Sequence, residues 1–433
     1  NLYISNFTFI NIHSLLINSS NINITFTNIT FARSKSQLIE LKSSQCRFQS
    51  CLFNYNYVNN FSLLKLNETI VNFVNCSIQA ISQFPKSNFP ILYLNKSPCN
   101  LTNCQFYANY VNFALFEVHF SHFSISNSSF LRNGGEFLLK SLNNSTICFD
   151  SCSFDENSWK LFFISRSSIT ISNSSILRNC ASDPICSLLN STASFHGAQF
   201  LQNSCGSIIQ SNFSSLLINE SLFSNNNSPS DLISIDLGKL KVISTLINNS
   251  LTSYGSSISS YYSRIEILNT SFNYTYSRRC GSSIYSVGSV FEGSSLSFFN
   301  TSSLSKSTSI CFRDCKDNPF VISQSVFNNS QKNNLLSVYV DHCPGIIRDS
   351  IFSREMDFEI PLVLAQKCTN CTFAQPIQTE KIDLTPVIIN DFDSEINMII
   401  IGLISFVVLL VLFICFRRKI RLCFNRMTRK RHY

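Results

Sequence analysis

The sequence predicts an all-β protein in which the chain winds into a parallel β-helix, and three observations on its 433 residues predict that fold. An apolar anchor, usually phenylalanine, returns roughly every 24 residues, a period typical of solenoids. Each period holds three short apolar runs, and no helical pattern lies between them. A repeat of this size buries its apolar face only by stacking on the next, so the chain predicts about 16 coils.

The strongest repeats pair the anchor with an asparagine three residues later. These pairs are Phe53/Asn56, Phe106/Asn109, Phe130/Asn133, Phe154/Asn157, Ile176/Asn179, Phe200/Asn203 and Phe223/Asn226. Weaker anchors extend the series at both ends: Phe9, Phe31, Ile78, Ile247, Phe272, Leu304, Phe327, Phe352 and Phe373. The gap near Leu304 is the longest, so we expect a loop insertion or an extra coil within residues 273–303.

The residues before each anchor alternate in polarity. Two places before the anchor stands a small or sulfur-containing residue, such as Cys51, Cys104 or Ser128. Because alternate residues of a strand share a face, this residue and the anchor both point inward, while the Asn, Ser and Thr residues between them point outward. A second strand precedes the anchor, as in Ser168–Ile171, and a third follows it, as in Gly281–Tyr285. Each coil is therefore predicted to contain three strands.

The asparagine after the anchor is predicted to have a structural role. It falls where the strand ends, and asparagine adopts the left-handed backbone conformation more readily than most residues. Its amide can bond the same amide in the next coil and so form a ladder. The predicted ladder consists of Asn56, Asn109, Asn133, Asn157, Asn179, Asn203 and Asn226. We prefer this role to one in ligand binding.

An apolar segment of about 19 residues, Met398–Phe416, is long enough to cross a ~30 Å hydrocarbon layer as one α-helix. Acidic residues precede it and a Lys/Arg cluster follows it, which by the positive-inside rule places the C-terminus in the cytosol. The predicted parts are an extracellular β-helix (1–376), a membrane-proximal stalk (377–396), a transmembrane helix (397–416) and a basic cytoplasmic tail (417–433). Cys415 and Cys423 flank the inner face of the plasma membrane and are lipidation candidates; the alternative is two reduced cysteines without a role.

The formal net charge of +8 comes from this tail, where eight Lys and Arg residues follow Phe416 without an acid. Charges before the tail balance, so a basic surface for nucleic acid is not predicted. The chain begins at Asn1 with neither a methionine nor a signal-peptide pattern. Because the predicted topology needs an export signal, we expect that the numbering starts after cleavage or that an N-terminal part is missing.

Sixteen of the 18 cysteines precede the apolar segment, and disulfides are the expected state outside the cell. Several lie in local pairs, such as Cys311 with Cys315, and stacked coils about 4.8 Å apart could bring others together. The disulfide candidates are Cys46, Cys51, Cys76, Cys99, Cys104, Cys148, Cys152, Cys180 and Cys186. Their connectivity stays open, and a ladder of buried free thiols is the alternative. A zinc site at Cys368 and Cys371 is disfavoured because no second pair lies close in sequence.

Sequons for N-glycosylation are abundant, and many fall on positions predicted to face outward. The candidates are Asn6, Asn23, Asn28, Asn67, Asn75, Asn127, Asn173, Asn269 and Asn370. A bulky glycan is tolerated only on an outward position, so the sequons support an extracellular rod.

The anchor motif, followed by a glycine and a small-apolar run, resembles the repeat of chlamydial polymorphic outer-membrane proteins. The matching segments read F-L-R-N-G-G-E-F at 130–137 and F-L-Q-N-S-C-G-S-I-I at 200–209. The resemblance implies a right-handed, pectin-lyase-like β-helix and a role in surface adhesion. This chain lacks the C-terminal β-barrel of the bacterial proteins and has one apolar segment with a basic tail. That arrangement is similar to the membrane-anchored relatives in trichomonad protists.

An enzymatic function is not predicted. Glycoside hydrolysis needs paired carboxylates, whereas acidic residues are sparse and mostly isolated in the repeats. No nucleophile motif or phosphate loop is present, and no cofactor is expected. We predict a surface protein that binds a host-cell or matrix ligand, protein or glycan. A carbohydrate-active enzyme and a structural coat component are the functional alternatives, and a leucine-rich-repeat receptor is the alternative fold.

Overall fold

The computed structural model describes residues 1–58, 61–83, 88–305, 307–315, 318–328, 336–353, 358–359 and 368–373. They form a right-handed parallel β-solenoid of about 14 turns, which confirms the predicted all-β class and coil-on-coil stacking. Two of its sheets hold sixteen strands each. The solenoid lies in a compact unit that spans Asn1–Pro376.

The coils contribute strands to three long sheets, and six coils also contribute a strand to a fourth, short sheet. The strands of sheet A are Leu2–Ser5, Asn23–Thr27, Gln45–Gln49, Ile70–Val74, Cys99–Thr102, His122–Ser126, Thr146–Asp150, Ser168–Ser172, Thr192–His196, Ser215–Asn219, Lys239–Ile243, Arg264–Leu268, Val290–Ser294, Phe320–Ser323, Gly345–Arg348 and Cys368–Thr369. The strands of sheet B are Thr8–Ile10, Thr30–Ala32, Leu52–Asn54, Ser77–Gln79, Gln105–Tyr107, Ser129–Leu131, Ser153–Asp155, Ser175–Leu177, Gln199–Leu201, Leu222–Ser224, Leu246–Asn248, Ser271–Asn273, Ser297–Phe299, Val326–Asn328, Ile351–Phe352 and Thr372–Phe373.

Sheet C closes the coil on its third side. Its strands are Ile17–Ser20, Ile39–Lys42, Tyr57–Val58, Leu64–Asn67, Ser82–Gln83, Leu92–Asn95, Tyr110–His119, Gly134–Leu142, Ser158–Ser165, Cys186–Leu189, Ile209–Asn212, Ile233–Asp236, Ile258–Tyr261, Ile284–Val287, Ser307–Arg313, Leu336–Asp341 and Phe358–Glu359. The short sheet D consists of Cys180–Ala181, Ser204–Cys205, Asn227–Ser228, Leu251–Thr252, Tyr276–Cys280 and Ser302–Ser305. The chain runs from sheet A to B and then to C, through sheet D where it is present.

The phenylalanine anchors are the middle residues of the sheet B strands and fill the interior. Phe106, Phe130 and Phe154 are at most 1% exposed. Their rings stack in parallel, with centroids 4.7 Å apart between Phe106 and Phe130 and 4.8 Å apart between Phe130 and Phe154. These distances match the spacing of neighbouring strands, because in-register stacking puts identical side chains above one another. Dispersion and burial thus act together along the whole rod.

The predicted anchor Leu304 is wrong. Its side chain is 64% exposed, and Phe298 occupies the anchor position of that coil. The Phe298 ring stacks 5.1 Å from Phe272 and 4.8 Å from Phe327. Phe298 therefore lies one coil after Phe272, so the extra coil predicted within 273–303 is wrong; this segment instead adds the sheet D strand Tyr276–Cys280. Phe298 is not followed by an asparagine three residues later, so the anchor motif does not identify it.

The ladder asparagines are buried in the turn that follows sheet B. Asn109, Asn133, Asn157, Asn179 and Asn203 each donate an amide N–H to the Oδ1 of the asparagine in the next coil, at 2.9–3.1 Å. The same oxygen accepts the backbone N–H of the preceding asparagine, as Asn157 does from Asn133 at 3.0 Å. The remaining amide hydrogen goes to the anchor carbonyl of the preceding coil. Every polar atom of the buried amide is thus satisfied, which an isolated buried amide could not achieve.

Two details of the asparagine prediction change. The left-handed residue of this turn is the one before the asparagine, for example Arg132 with φ 53° and Glu156 with φ 52°. The asparagine itself is selected for its hydrogen bonds. Asn56 stands apart from the continuous stack, because the next coil has Ile81 at the ladder position; its oxygen accepts the Ser34 backbone N–H at 3.0 Å.

A column of serines performs the same function in the turn from sheet C to sheet A. Ser121 Oγ accepts the Ser97 backbone N–H at 2.8 Å and donates to the His119 carbonyl at 2.6 Å. The column includes Ser97, Ser121, Ser145, Ser167, Ser191 and Ser214. Its members bridge each coil to the next at the turn from sheet C to sheet A.

The predicted stalk, transmembrane helix and tail lie outside the described residues, as do Cys415 and Cys423. Among the residues that the structure describes, no helix has the length and apolar character needed to span a bilayer.

Replacing Phe130 with alanine should lower the free energy of unfolding by about 3–5 kcal/mol, because the ring is fully buried between two stacked rings. Leu304→Ala is the matched control and should change it by less than about 0.5 kcal/mol, since that side chain faces solvent. Chemical denaturation followed by circular dichroism measures both. Equal losses for the two variants would mean that the anchors are not the core.

Candidate functional site

The densest group of charged and aromatic side chains lies on the outer face of sheet C, in the coils from residue 258 to 341. Strand register places Tyr285 beside Cys311 and Cys311 beside Tyr339. A second outward row runs from Tyr261 through Val287 to Arg313 and Asp341. We call Tyr261, Arg279, Tyr285, Arg313 and Tyr339 the Tyr–Arg face. It results directly from the two-residue alternation of the strands.

Arg279 reaches this face from the end of the adjoining sheet D strand. Its Nη1 donates to the Tyr261 hydroxyl at 3.0 Å, and its guanidinium carbon lies 3.9 Å from the Tyr285 ring centroid. A cation stacked in this way on an aromatic face is stabilised by the ring quadrupole. The next residue, Cys280, forms a disulfide with Cys311, with Cα atoms 5.8 Å apart. This bond fixes the Arg279 segment on the face of sheet C.

Tyr285 is the centre of the face. It points outward but is only 4% exposed, because side chains cover it on several sides. Cys280, Tyr285 and Cys311 form a small apolar cluster separate from the main core, with Tyr261 and Tyr339 packed against it. This cluster lies outside the main core, so its residues do not take part in packing inside the rod and can serve a surface function.

Arg313 approaches Tyr285 from the neighbouring coil. A hydrogen bond to Tyr285 is the main cause that raises the pKa of Arg313. Arg313 Nε lies 3.6 Å from Asp341 Oδ2, while the other Asp341 oxygen is 2.7 Å from His342 Nδ1. Asp341 therefore contacts Arg313 with one carboxylate oxygen and His342 with the other.

Burial shifts two more groups at the edge of this face. It raises the pKa of the Asp231 carboxyl, although the Ser256 backbone N–H donates to Asp231 Oδ1 at 2.8 Å. It also raises the pKa of Tyr261, and the nearby Arg279 opposes that rise. Perturbed groups gathered in one place are typical of functional sites.

Three open troughs elsewhere on the rod carry less chemistry. The two larger ones, of about 800 and 780 Å³, follow turns between sheets. Hydroxyls of the serine column line the first, and these already bond the next coil. The third, of about 470 Å³, contains Lys160 and Asp183, whose Nζ and Oδ2 atoms lie 3.3 Å apart. In the described part of the chain, no three His, Cys, Asp or Glu side chains are grouped to hold a metal ion.

The disulfide prediction is wrong for all nine candidates. Cys46, Cys51, Cys76, Cys99, Cys104, Cys148, Cys152, Cys180 and Cys186 are free thiols. The disulfides that the described residues do contain join Cys280 to Cys311 and Cys315 to Cys343. The second pair occupies two successive places of the serine column. Cys311 and Cys315 are close in the sequence, but each forms its disulfide with a different cysteine.

The stacked cysteines of the turn before sheet B bond backbone carbonyls of the preceding coil. Cys51 and Cys76 direct their Sγ atoms at carbonyl oxygens of the preceding coil, those of Phe26 and Phe48, both at 3.5 Å. Cys152 makes the same contact with Ile125, also at 3.5 Å.

The glycosylation candidates lie at the surface. Asn67 is half-buried and the others are exposed: Asn6, Asn23, Asn28, Asn75, Asn127, Asn173, Asn269 and Asn370. Most of these exposed asparagines have positive φ, as in Asn127 with φ 48° and Asn173 with φ 48°, at the turn from sheet A to sheet B. The local backbone requirement thus accounts for asparagine there, independently of any glycan.

Sequence reasoning missed the Tyr–Arg face. The run Gly281–Tyr285 was recognised as a strand, but coil lengths vary, so the partners of Tyr285 could not be aligned by a fixed period. The usable signal is Cys280 beside Gly281, together with tyrosines at outward positions of a strand.

No protein-family model matches the sequence, and no curated protein is similar to it. Solved structures of similar fold include tailspike protein 3 of bacteriophage CBA120, with a TM-score of 0.45 and 8% identity over 82% of this chain and 57% of that one. The chain thus spans little more than half the length of the tailspike protein. The structure of the Vag8–C1 inhibitor complex gives a TM-score of 0.36 and 8% identity over 86% of this chain and 100% of that one. Alginate lyase AlyF-OU02 in complex with G6 gives 0.32 and 9% over 86% and 85%. No residue role is carried over from these proteins.

Native alkylation with iodoacetamide at pH 7 should leave Cys152 unmodified and should modify Cys180, which is exposed. Burial raises the pKa of Cys152 to about 11, so the reactive thiolate becomes abundant only as the pH rises towards that value or when the chain unfolds. Peptide mapping before and after denaturation, without reductant, measures this. Cross-linked peptides should contain Cys280 with Cys311 and Cys315 with Cys343; a disulfide at Cys152 would contradict the structure.

Proposed function

We propose that this chain is a single-pass protein of the plasma membrane whose solenoid lies outside the cell and acts in adhesion or ligand binding. The apolar segment at 397–416 and the basic residues after it support this orientation. The disulfides Cys280–Cys311 and Cys315–Cys343 also support it, because structural disulfides persist outside the reducing cytosol. The resemblance of the repeat to polymorphic outer-membrane proteins agrees with a surface role.

The Tyr–Arg face is the observation that favours binding. Tyrosine and arginine are the residues most enriched at energetically important positions of interfaces. Here they stand on a rigid sheet and are held by a disulfide, so little entropy is lost when a partner binds. The troughs of the rod are open, which favours many shallow contacts over one deep pocket. We propose a host-cell or matrix ligand, protein or glycan, with neither nucleic acid nor a cofactor as a partner and without catalysis.

We also propose that the exposed sequon asparagines carry N-glycans. Apart from Asn23, which begins a strand, they lie at turns from sheet A to sheet B, where a bulky glycan is tolerated. Endoglycosidase treatment of the protein from a glycosylating host should lower its mass, and an unchanged mass would contradict this part of the proposal.

Cells that display the full chain should adhere to host cells or matrix coatings several-fold more than control cells. The control displays an unrelated ectodomain on the same residues 377–433, at equal surface density. Adhesion equal to that of the control across the ligand panel would contradict the proposed function. Cleavage of a polysaccharide by the purified chain would instead favour the carbohydrate-active enzyme, and self-association without adhesion would favour a coat component.

A further inference from the structure

Two guanidinium groups converge on one buried phenol. Arg279 lies over the Tyr285 ring at 3.9 Å, and Arg313 interacts with Tyr285 from the neighbouring coil. Arginine side chains that gather on aromatic rings at a protein surface are typical of binding sites.

The two arginines differ in their carboxylate partners. Asp341 lies 3.6 Å from Arg313, and Asp314 also interacts with Arg313. Asp231 is the acid that faces Arg279, but its Oδ1 already accepts the Ser256 backbone N–H, and burial raises its pKa. Among the described residues, no carboxylate forms an ion pair with Arg279; its contacts are the Tyr261 hydroxyl and Tyr285. An external anion would complete the site.

We propose that the Tyr–Arg face binds an acidic sugar of a glycan, with Arg279 and Arg313 holding its carboxylate or sulfate and Tyr261 and Tyr339 packing against its ring. This inference rests on the proposed binding function and assigns it a ligand class.

The residue types fit that ligand in two ways. Guanidinium forks match planar carboxylates and sulfate oxygens with paired N–H donors, and contacts of this kind are stronger than those between neutral groups. Half-buried tyrosines present an apolar ring and a polar hydroxyl, which suits the mixed apolar and hydroxylated surface of a sugar.

The test measures binding of the full chain in detergent to heparin, polygalacturonate and dextran by biolayer interferometry. Wild type should bind heparin or polygalacturonate, or both, and should not bind uncharged dextran. Arg279→Gln and Arg313→Gln should each raise the Kd about 10- to 100-fold, since each removes a charge-assisted contact. Arg279→Lys keeps the charge but loses the fork and should fall between Arg279→Gln and wild type.

Arg278→Gln is the matched control, because Arg278 is the exposed neighbour of Arg279 and its removal changes the net charge equally. It should change the Kd less than about three-fold at physiological salt, where surface charges are screened. Peptide mapping of the Cys280–Cys311 disulfide verifies that each variant is folded at this face. Binding to heparin alone identifies sulfate as the anion, and binding to polygalacturonate alone identifies carboxylate.

Absence of binding to both acidic glycans would overturn the inference, as would equal losses in Arg279→Gln and Arg278→Gln. Cell adhesion by the same variants separates this failure from that of the proposed function. If wild type adheres and Arg279→Gln adheres equally well, adhesion stands and the acidic-sugar site falls. If wild type does not adhere, the proposed function itself fails.

Discussion

The whole rod depends on one constraint: each coil must place its side chains directly above those of the coil before it. Hydrogen bonds between parallel strands set the spacing, and the interior is then built from columns of like residues. The aromatic column of Phe106, Phe130 and Phe154 contributes burial and ring stacking. The asparagine column beside it contributes polar satisfaction, because each amide uses the amides above and below as partners. A shift of one residue would turn every inward side chain outward. The alternation of apolar and polar residues therefore fixes the register of the strands.

Because the inward side chains fill the core, only the outward side chains are available for a surface function. Along most of sheet C the outward side chains are partly exposed, as expected for the solvated face of a half-buried strand. Tyr285 and Cys311 depart from that pattern, since both point outward and both are buried. They are covered by an arginine and a disulfide, which build a small second layer on the rod. Solenoids gain such features without disturbing their neighbours, because each coil contacts only the adjacent coils.

Much of the interior could be predicted from the sequence, since it repeats. The period, the anchors and the asparagine column are local patterns, and Phe130 with Asn133 needs no knowledge of the rest of the chain. Features that depend on how one coil aligns with the next could not be predicted. The sequence predicts Leu304 rather than Phe298 as an anchor because the motif does not reveal the strand register. It places Cys311 near Cys315 rather than near Cys280 because coil lengths vary. The serine column also escaped, because its residues resemble the many surface serines. The Tyr–Arg face needs both the register and the path of the sheet D strand that carries Arg279.

Deletion of whole and partial coils tests the stacking directly. Deleting residues 129–152 joins Ser128 to Ser153, and Ser153 occupies the same place in its coil as Ser129. We predict that this variant of the full chain keeps its β-sheet circular dichroism and its cooperative unfolding, with a solenoid about 4.8 Å shorter. Deleting residues 129–140 should abolish both, because the inward columns no longer meet. If the two deletions were equally disruptive, or equally harmless, the chain could not be a stack of coils in register.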